Sequence, residues 1–199
     1  MTNLNGLVLA GGRSTRMGQD KSGLIYHRKP QREHLTDLLR PYCHTVFWSV
    51  NPAQAAQLTE NEQPLIVDAF ELGSPLNGIL SAFQHDPQAA WLVMACDMPL
   101  VTAQSLDALI NGRDPAKMAT VFYDSDGQLP EPLLGIYEPA FGLIVQKAVA
   151  DGAYSPRQLL RQNDIQLLTA PDVRELTNIN DPTARAKLCC RTPRQEEKS

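Results

Sequence analysis

The sequence predicts an α/β protein, a mostly parallel sheet with helices on both faces. Three observations carry this: short apolar runs rich in Val, Ile, Leu and Phe alternate with amphipathic stretches after residue 5; the first four runs are almost continuously apolar; and no internal repeat or linker interrupts the 199 residues. Alternation of strand and helix patterns indicates βαβ units, and strands covered on both faces lose the polar alternation of a half-exposed sheet.

The strand candidates in order are GLVLA, TVFWSVN, PLIVDAF, AWLVMACD, MATVFYD, PLLGIY, IQLLTA and ELTNIN. Between the first two, PQREHLTDLLRPY places Leu35, Leu38, Leu39 and Tyr42 on one helical face, with Pro30 suited to the first turn. SPLNGILSAFQ repeats that pattern, as does TAQSLDALING, with Thr102 as cap and Gly112 at its close. SPRQLLRQN repeats it again behind Ser155 and Pro156. The stretch MATVFYDSDGQLPEPLLGIY holds two strands around a Gly- and Pro-containing loop, which predicts an antiparallel excursion on the same sheet. One domain is expected over residues 1–190, with RTPRQEEKS over 191–199 a charged, flexible tail.

A formal net charge of -4 argues against a broad nucleic-acid or membrane-surface role, so a basic cluster here must serve a local purpose. Cys43, Cys96, Cys189 and Cys190 form no C-x-x-C pair, which fits a reducing compartment. The opening MTNLNGLVLAGG lacks the pattern of a signal peptide, and no apolar run is long enough to span a bilayer; a soluble, cytoplasmic protein is expected. His27, His34, His44 and His85 lack metal-site spacing.

Ligands of open α/β sheets bind beyond the carboxyl ends of the strands. The first four runs end at Ala10-Gly11-Gly12, at Asn51, at Asp68 and at Asp97, so small or polar residues meet at one edge. Two glycines admit close backbone approach, and Arg13, Arg16 and Lys21 supply the positive charge a polyphosphate needs. The loop is neither a Walker motif nor G-x-G-x-x-G. Composition alone leaves a solvated glycine turn as an equal reading. Asp97 closes a very apolar run and suits Mg²⁺ opposite a phosphate, or a helix cap.

LAGGRSTRMGQDKS resembles the signature of the molybdenum cofactor guanylyltransferases, and SVN, VD, GSPLNGILSAF, ACDMPL, EPLLGIY, SPRQLL and TNINDP follow in that family's order. The resemblance implies a three-layer, Rossmann-like, glycosyltransferase-A-like fold and Mg-dependent transfer of GMP from GTP to molybdopterin or molybdenum cofactor. By that resemblance Leu9, Ala10, Gly11 and Gly12 contact the nucleotide, Arg16 and Lys21 bind its phosphates, and Asn51 and Asp68 hold the base and ribose. Asp97 holds Mg²⁺ and acts with Arg16 and Lys21 in catalysis, while Arg157, Asn178 and Asn180 face the pterin acceptor. Transient contact with molybdenum-inserting or molybdoenzyme partners is open. Ser74 in GSPLNG departs from the family, which usually runs Gly-Pro directly. A cytidylyltransferase, an NTP transferase with another phosphate acceptor, and a non-catalytic nucleotide-binding protein are the alternatives.

Overall fold

The computed structural model describes residues 3–11, 21–58 and 63–179, with only the backbone of Lys21. Seven strands, β1 (Leu4–Leu9), β2 (Val46–Val50), β3 (Leu65–Val67), β4 (Ala90–Ala95), β5 (Ala119–Tyr123), β6 (Pro130–Tyr137) and β7 (Gln166–Leu168), form one sheet. Their order is β3-β2-β1-β4-β6-β5-β7. The first four run parallel, β6 enters antiparallel between β4 and β5, and β7 returns parallel to β5. The antiparallel excursion read from the sequence is therefore a hairpin whose second strand lies against β4.

Helices α1 (Gln31–Leu39), α2 (Pro52–Gln57), α3 (Leu76–His85), α4 (Ala103–Asn111), α5 (Pro139–Ala150) and α6 (Pro156–Gln162) complete the described architecture. Side chains of β1 and β4 alternate between two cores. Leu7, Leu9, Trp91 and Val93 meet α3, α5 and α6, while Val8, Leu92 and Met94 meet α1 and α4. Both faces are dry, which is why these strands had to be apolar at every position. Each fully buried leucine adds about 1.5–3 kcal/mol of transfer free energy.

Caps agree with the sequence pattern: Thr102 Oγ1 accepts from Gln104 N, Ser155 Oγ accepts from Gln158 N, and Gly112 closes α4. Pro30 stands one residue before α1, as its N-cap. Two helices have no counterpart in the pattern reading. In α2 only six residues are helical, and in α5 the run PAFGLIVQKAVA is apolar on too many sides to show a period.

ELTNIN is not a strand. Val173–Leu176 forms a 3₁₀ turn, because the buried Glu175 carboxylate accepts from Thr102 N and Thr102 Oγ1 at 2.9 and 2.7 Å. That pairing holds the segment beside the start of α4 instead of at a sheet edge. Among the described residues no helix is long and apolar enough to cross a membrane. The expected tail lies outside the described residues, as do Cys189 and Cys190.

Candidate functional site

The ends of β1, β2 and β3 are tied by hydrogen bonds that leave no room for larger side chains. Ser49 O accepts from both Ala10 N and Gly11 N, at 3.0 and 2.7 Å. Ser49 Oγ donates to Asp68 Oδ1 at 2.7 Å, and Asn77 Nδ2 donates to Asp68 Oδ2 at 3.3 Å and to Phe70 O at 2.5 Å. Asp68 is thereby fixed from β2 and from α3. Burial pushes its carboxyl above the usual carboxylate range, with the Ser49 hydroxyl holding it back.

Gly11 is glycine for want of space. A Cβ there would lie 2.7 Å from Asp68 Oδ2, and its backbone has no need of a positive φ. Gly78 on α3 is similarly crowded, since a Cβ would fall 2.3 Å from Ser49 Oγ and 2.7 Å from Leu9 Cδ2. These two close approaches seat α3 on β1 and β2 and bring Asn77 to Asp68. Gly11→Ala is expected to displace the Asp68 carboxylate, cost about 1–3 kcal/mol of stability and weaken about tenfold the binding of the nucleotide that the sequence resemblance implies. Chemical denaturation and calorimetric titration with GTP check this; unchanged binding would mean that the Gly11–Asp68 contact has no bearing on the ligand.

The expected nucleotide residues take different parts. Leu9 and Ala10 are buried, so neither offers its side chain to a ligand. Ala10 O already accepts from Gln54 Nε2 at 3.0 Å. The Gly11 N–H, donating to Ser49 O, is likewise committed within the fold. Asn51 Oδ1 caps α2 by accepting from Gln54 N, while Gln54 Oε1 accepts from Asn51 N. Its Nδ2 is the remaining donor. Gly12, Arg13 and Arg16, with Asn180, lie outside the described residues, as does the Lys21 side chain. The Lys21 backbone opens a short 3₁₀ turn, Lys21–Gly23.

A second group of residues gathers at the end of β4. Asp97 is half-buried, and its carbonyl accepts from Ile179 N at 2.7 Å, which brings Asn178 to this edge. Among the described residues the buried Asn178 Oδ1 has no hydrogen-bond partner. His27 Nε2 donates to Pro99 O at 2.7 Å and its ring stacks on His34 at 4.0 Å. Burial, then the charges of His27 and Lys29, lower the His34 pKa to about 4. These contacts hold the segment after Lys21 against the loop that follows Asp97.

Glu131, at the start of β6, was not legible as a site residue. The β4–β6 register pairs Met94 with Leu134, and its continuation sets Glu131 opposite Asp97. Burial raises the Glu131 pKa; the Leu133 amide and Arg157 oppose that shift, and the charges of Asp97 and Asp124 add to it. The available signal was a carboxylate between two prolines, Pro130 and Pro132, at the head of an apolar run. Ser49, Asn77 and Asp124 were equally silent. Ser74, the departure in GSPLNG, donates from Oγ to Tyr154 O at 2.5 Å and accepts from Leu76 N at 3.3 Å. The extra residue thus ties the start of α3 to the loop leading into α6.

Sheet topology and the convergence of polar groups at the carboxyl ends of β1 to β4 define a Rossmann-like α/β protein with a ligand-binding edge of the kind such sheets use. The MobA-like NTP transferase domain matches residues 6–167, and the chain belongs to that family. A molybdenum cofactor biosynthesis bifunctional protein of Synechocystis is 36% identical over 181 residues, which are 91% of this chain and 52% of that protein. The chain therefore spans about half the length of that relative. A molybdenum cofactor guanylyltransferase of Xanthomonas euvesicatoria is 33% identical over 195 residues, 94% of this chain and 95% of that one. In fold, the chain is similar to the crystal structure of molybdopterin-guanine dinucleotide biosynthesis protein A from Archaeoglobus fulgidus. That likeness has a TM-score of 0.77 at 21% identity, covering 92% of this chain and 96% of the other.

Proposed function

We infer that this protein transfers GMP from GTP to the terminal phosphate of molybdopterin or molybdenum cofactor, releasing pyrophosphate. The observation that carries this reading is the match of residues 6–167 to the MobA-like NTP transferase family, with Gly11 packed close to Asp68 at the strand ends and Asp97 at the end of the strand next to β1. An acceptor phosphate oxygen attacks the α-phosphorus of GTP, a new P–O–P linkage forms, and the bond to the β-phosphate oxygen breaks. The attacking phosphate is already ionised near neutral pH, so no protein nucleophile is required. Alignment and charge stabilisation are the protein's tasks.

In this reading Asp68 and Asn51 hold the nucleoside end. Lys21 and Arg16 stabilise charge on the departing pyrophosphate. Arg157, Asn178 and Asn180 bind the acceptor. Among the described residues no three acidic, His or Cys side chains form a ready-made metal cage. One carboxylate ligand such as Asp97 nevertheless suffices for Mg²⁺, which commonly completes its octahedron with water and phosphate oxygens. Bound there, Mg²⁺ would supply charge neutralisation of the phosphates. The soluble, cytoplasmic setting and protein partners in cofactor delivery belong to the same reading.

A panel of GTP, CTP, ATP and UTP binding, joined to a pyrophosphate-release assay with molybdopterin and Mg²⁺, tests the assignment. GTP is expected to bind about tenfold or more tightly than the other three and to support release. A preference for CTP would make this a cytidylyltransferase; tight GTP binding with no release would make it a binding protein.

A further inference from the structure

Arg157 lies in the first turn of α6, and its guanidinium faces two carboxylates that have no part in the reaction described above. Its Nη1 is 3.7 Å from Asp124 Oδ2 and its Nη2 is 3.6 Å from Glu131 Oε2. Both acids come from the β5–β6 hairpin. Both are nearly inaccessible, Glu131 at 2% and Asp124 at 9% exposure.

Backbone bonds immobilise both acids. Glu131 Oε1 accepts from Leu133 N at 2.9 Å, and Asp124 Oδ1 accepts from Gln128 N and Leu129 N at 3.1 and 3.2 Å. In each case it is the other oxygen that lies toward Arg157. At such separations the pairs are ionic contacts and not hydrogen bonds, so among the described residues these two carboxylates leave the guanidinium N–H donors untaken. Its side chain is 39% exposed and borders an open cavity of about 450 Å³ shared with Ser155, Gln158 and Arg161. An arginine held by charge, with its donors not taken by those carboxylates and one edge open, suits a tetrahedral oxyanion.

We propose that Glu131 and Asp124 are positioning residues that aim Arg157 at the acceptor phosphate, an assignment that rests on the acceptor role of Arg157 inferred above. The competing account makes Arg157 a counter-ion for two buried carboxylates and nothing more. The accounts separate when the carboxylate charge is removed without changing size. Glu131→Gln keeps the acceptor for Leu133 N, and Asp124→Asn keeps the acceptor for the hairpin turn.

Two readouts on the full chain decide between them. The first is KM for molybdopterin against the calorimetric Kd for GTP, with pyrophosphate release as the assay. The second is the NMR order parameter of the Arg157 Nε–H group, which needs no turnover. Each variant is expected to raise the acceptor KM about tenfold, keep the GTP Kd within about twofold, and lower the Arg157 order parameter. An unchanged acceptor KM, or an unchanged order parameter in both variants, overturns the proposal. So does an equal loss for GTP and acceptor, since that reports general distortion. If Glu131→Gln does not fold, Asp124→Asn decides alone. Should the wild-type chain release no pyrophosphate, the guanylyltransfer reading fails while the order parameter still tests whether the hairpin holds Arg157.

Discussion

Asp97→Asn is expected to lower turnover by about 10² to 10³-fold, the scale of losing one preorganised charge-stabilising group, while the fold stays intact. The side chain stands just beyond β4, whose six residues are all buried, and it is itself only half exposed. Asparagine has nearly the same shape and leaves the backbone bond from Ile179 N to Asp97 O in place. The negative charge is lost, and one acceptor oxygen becomes an N–H donor. The measurement is kcat for pyrophosphate release at saturating GTP and Mg²⁺, accompanied by the thermal midpoint. The apparent Mg²⁺ constant should weaken in parallel. Near wild-type turnover with an unaltered Mg²⁺ constant would remove Asp97 from the metal assignment and turn attention to Glu131 across the register.

The largest loss of stability is expected from Arg113→Ala. Arg113 follows the close of α4, and Glu138 precedes the first turn of α5. Arg113 Nε and Nη2 donate to Glu138 Oε1 and Oε2 at 2.7 and 2.9 Å, a bidentate pair with side chains 17% and 3% exposed. Truncating the arginine strands a buried carboxylate, which typically costs about 3–5 kcal/mol. For a chain of this size that lowers the thermal midpoint by about 10 °C. Because replacing both members of a buried pair by apolar residues is often close to neutral, the double variant Arg113→Met, Glu138→Leu should recover most of the loss. Calorimetry on the wild type, the single and the double variant gives the comparison. A single variant that melts with the wild type would show that solvent reaches Glu138 once the arginine is gone.

The parallel half of the sheet was legible because its physics is local. A strand buried on both faces must be apolar throughout, and GLVLA and AWLVMACD could not be read otherwise. Capping was legible for the same reason at Thr102 and Ser155. α5 was missed because a helix packed on a core and rich in Val, Ile and Ala shows a blurred period, and ELTNIN because a two-oxygen contact from Glu175 to Thr102 outranked its strand pattern. Of the site, Asp68 was marked as a strand terminator. Its fixing by Ser49 and Asn77 was invisible, since those residues are 19 and 9 positions away.

By itself the sequence determined which strands lie in the sheet interior, which edge collects small and polar residues, and which family the glycine-rich segment resembles, because each depends on neighbours within one turn or one strand. Tertiary structure alone decided that Gly11 is excluded from growing by Asp68, that the segment holding Asn178 returns to Asp97, and that Glu131 and Asp124 flank Arg157. Those contacts join residues far apart in the chain, and a carboxylate's environment is set by whichever element the fold lays against it.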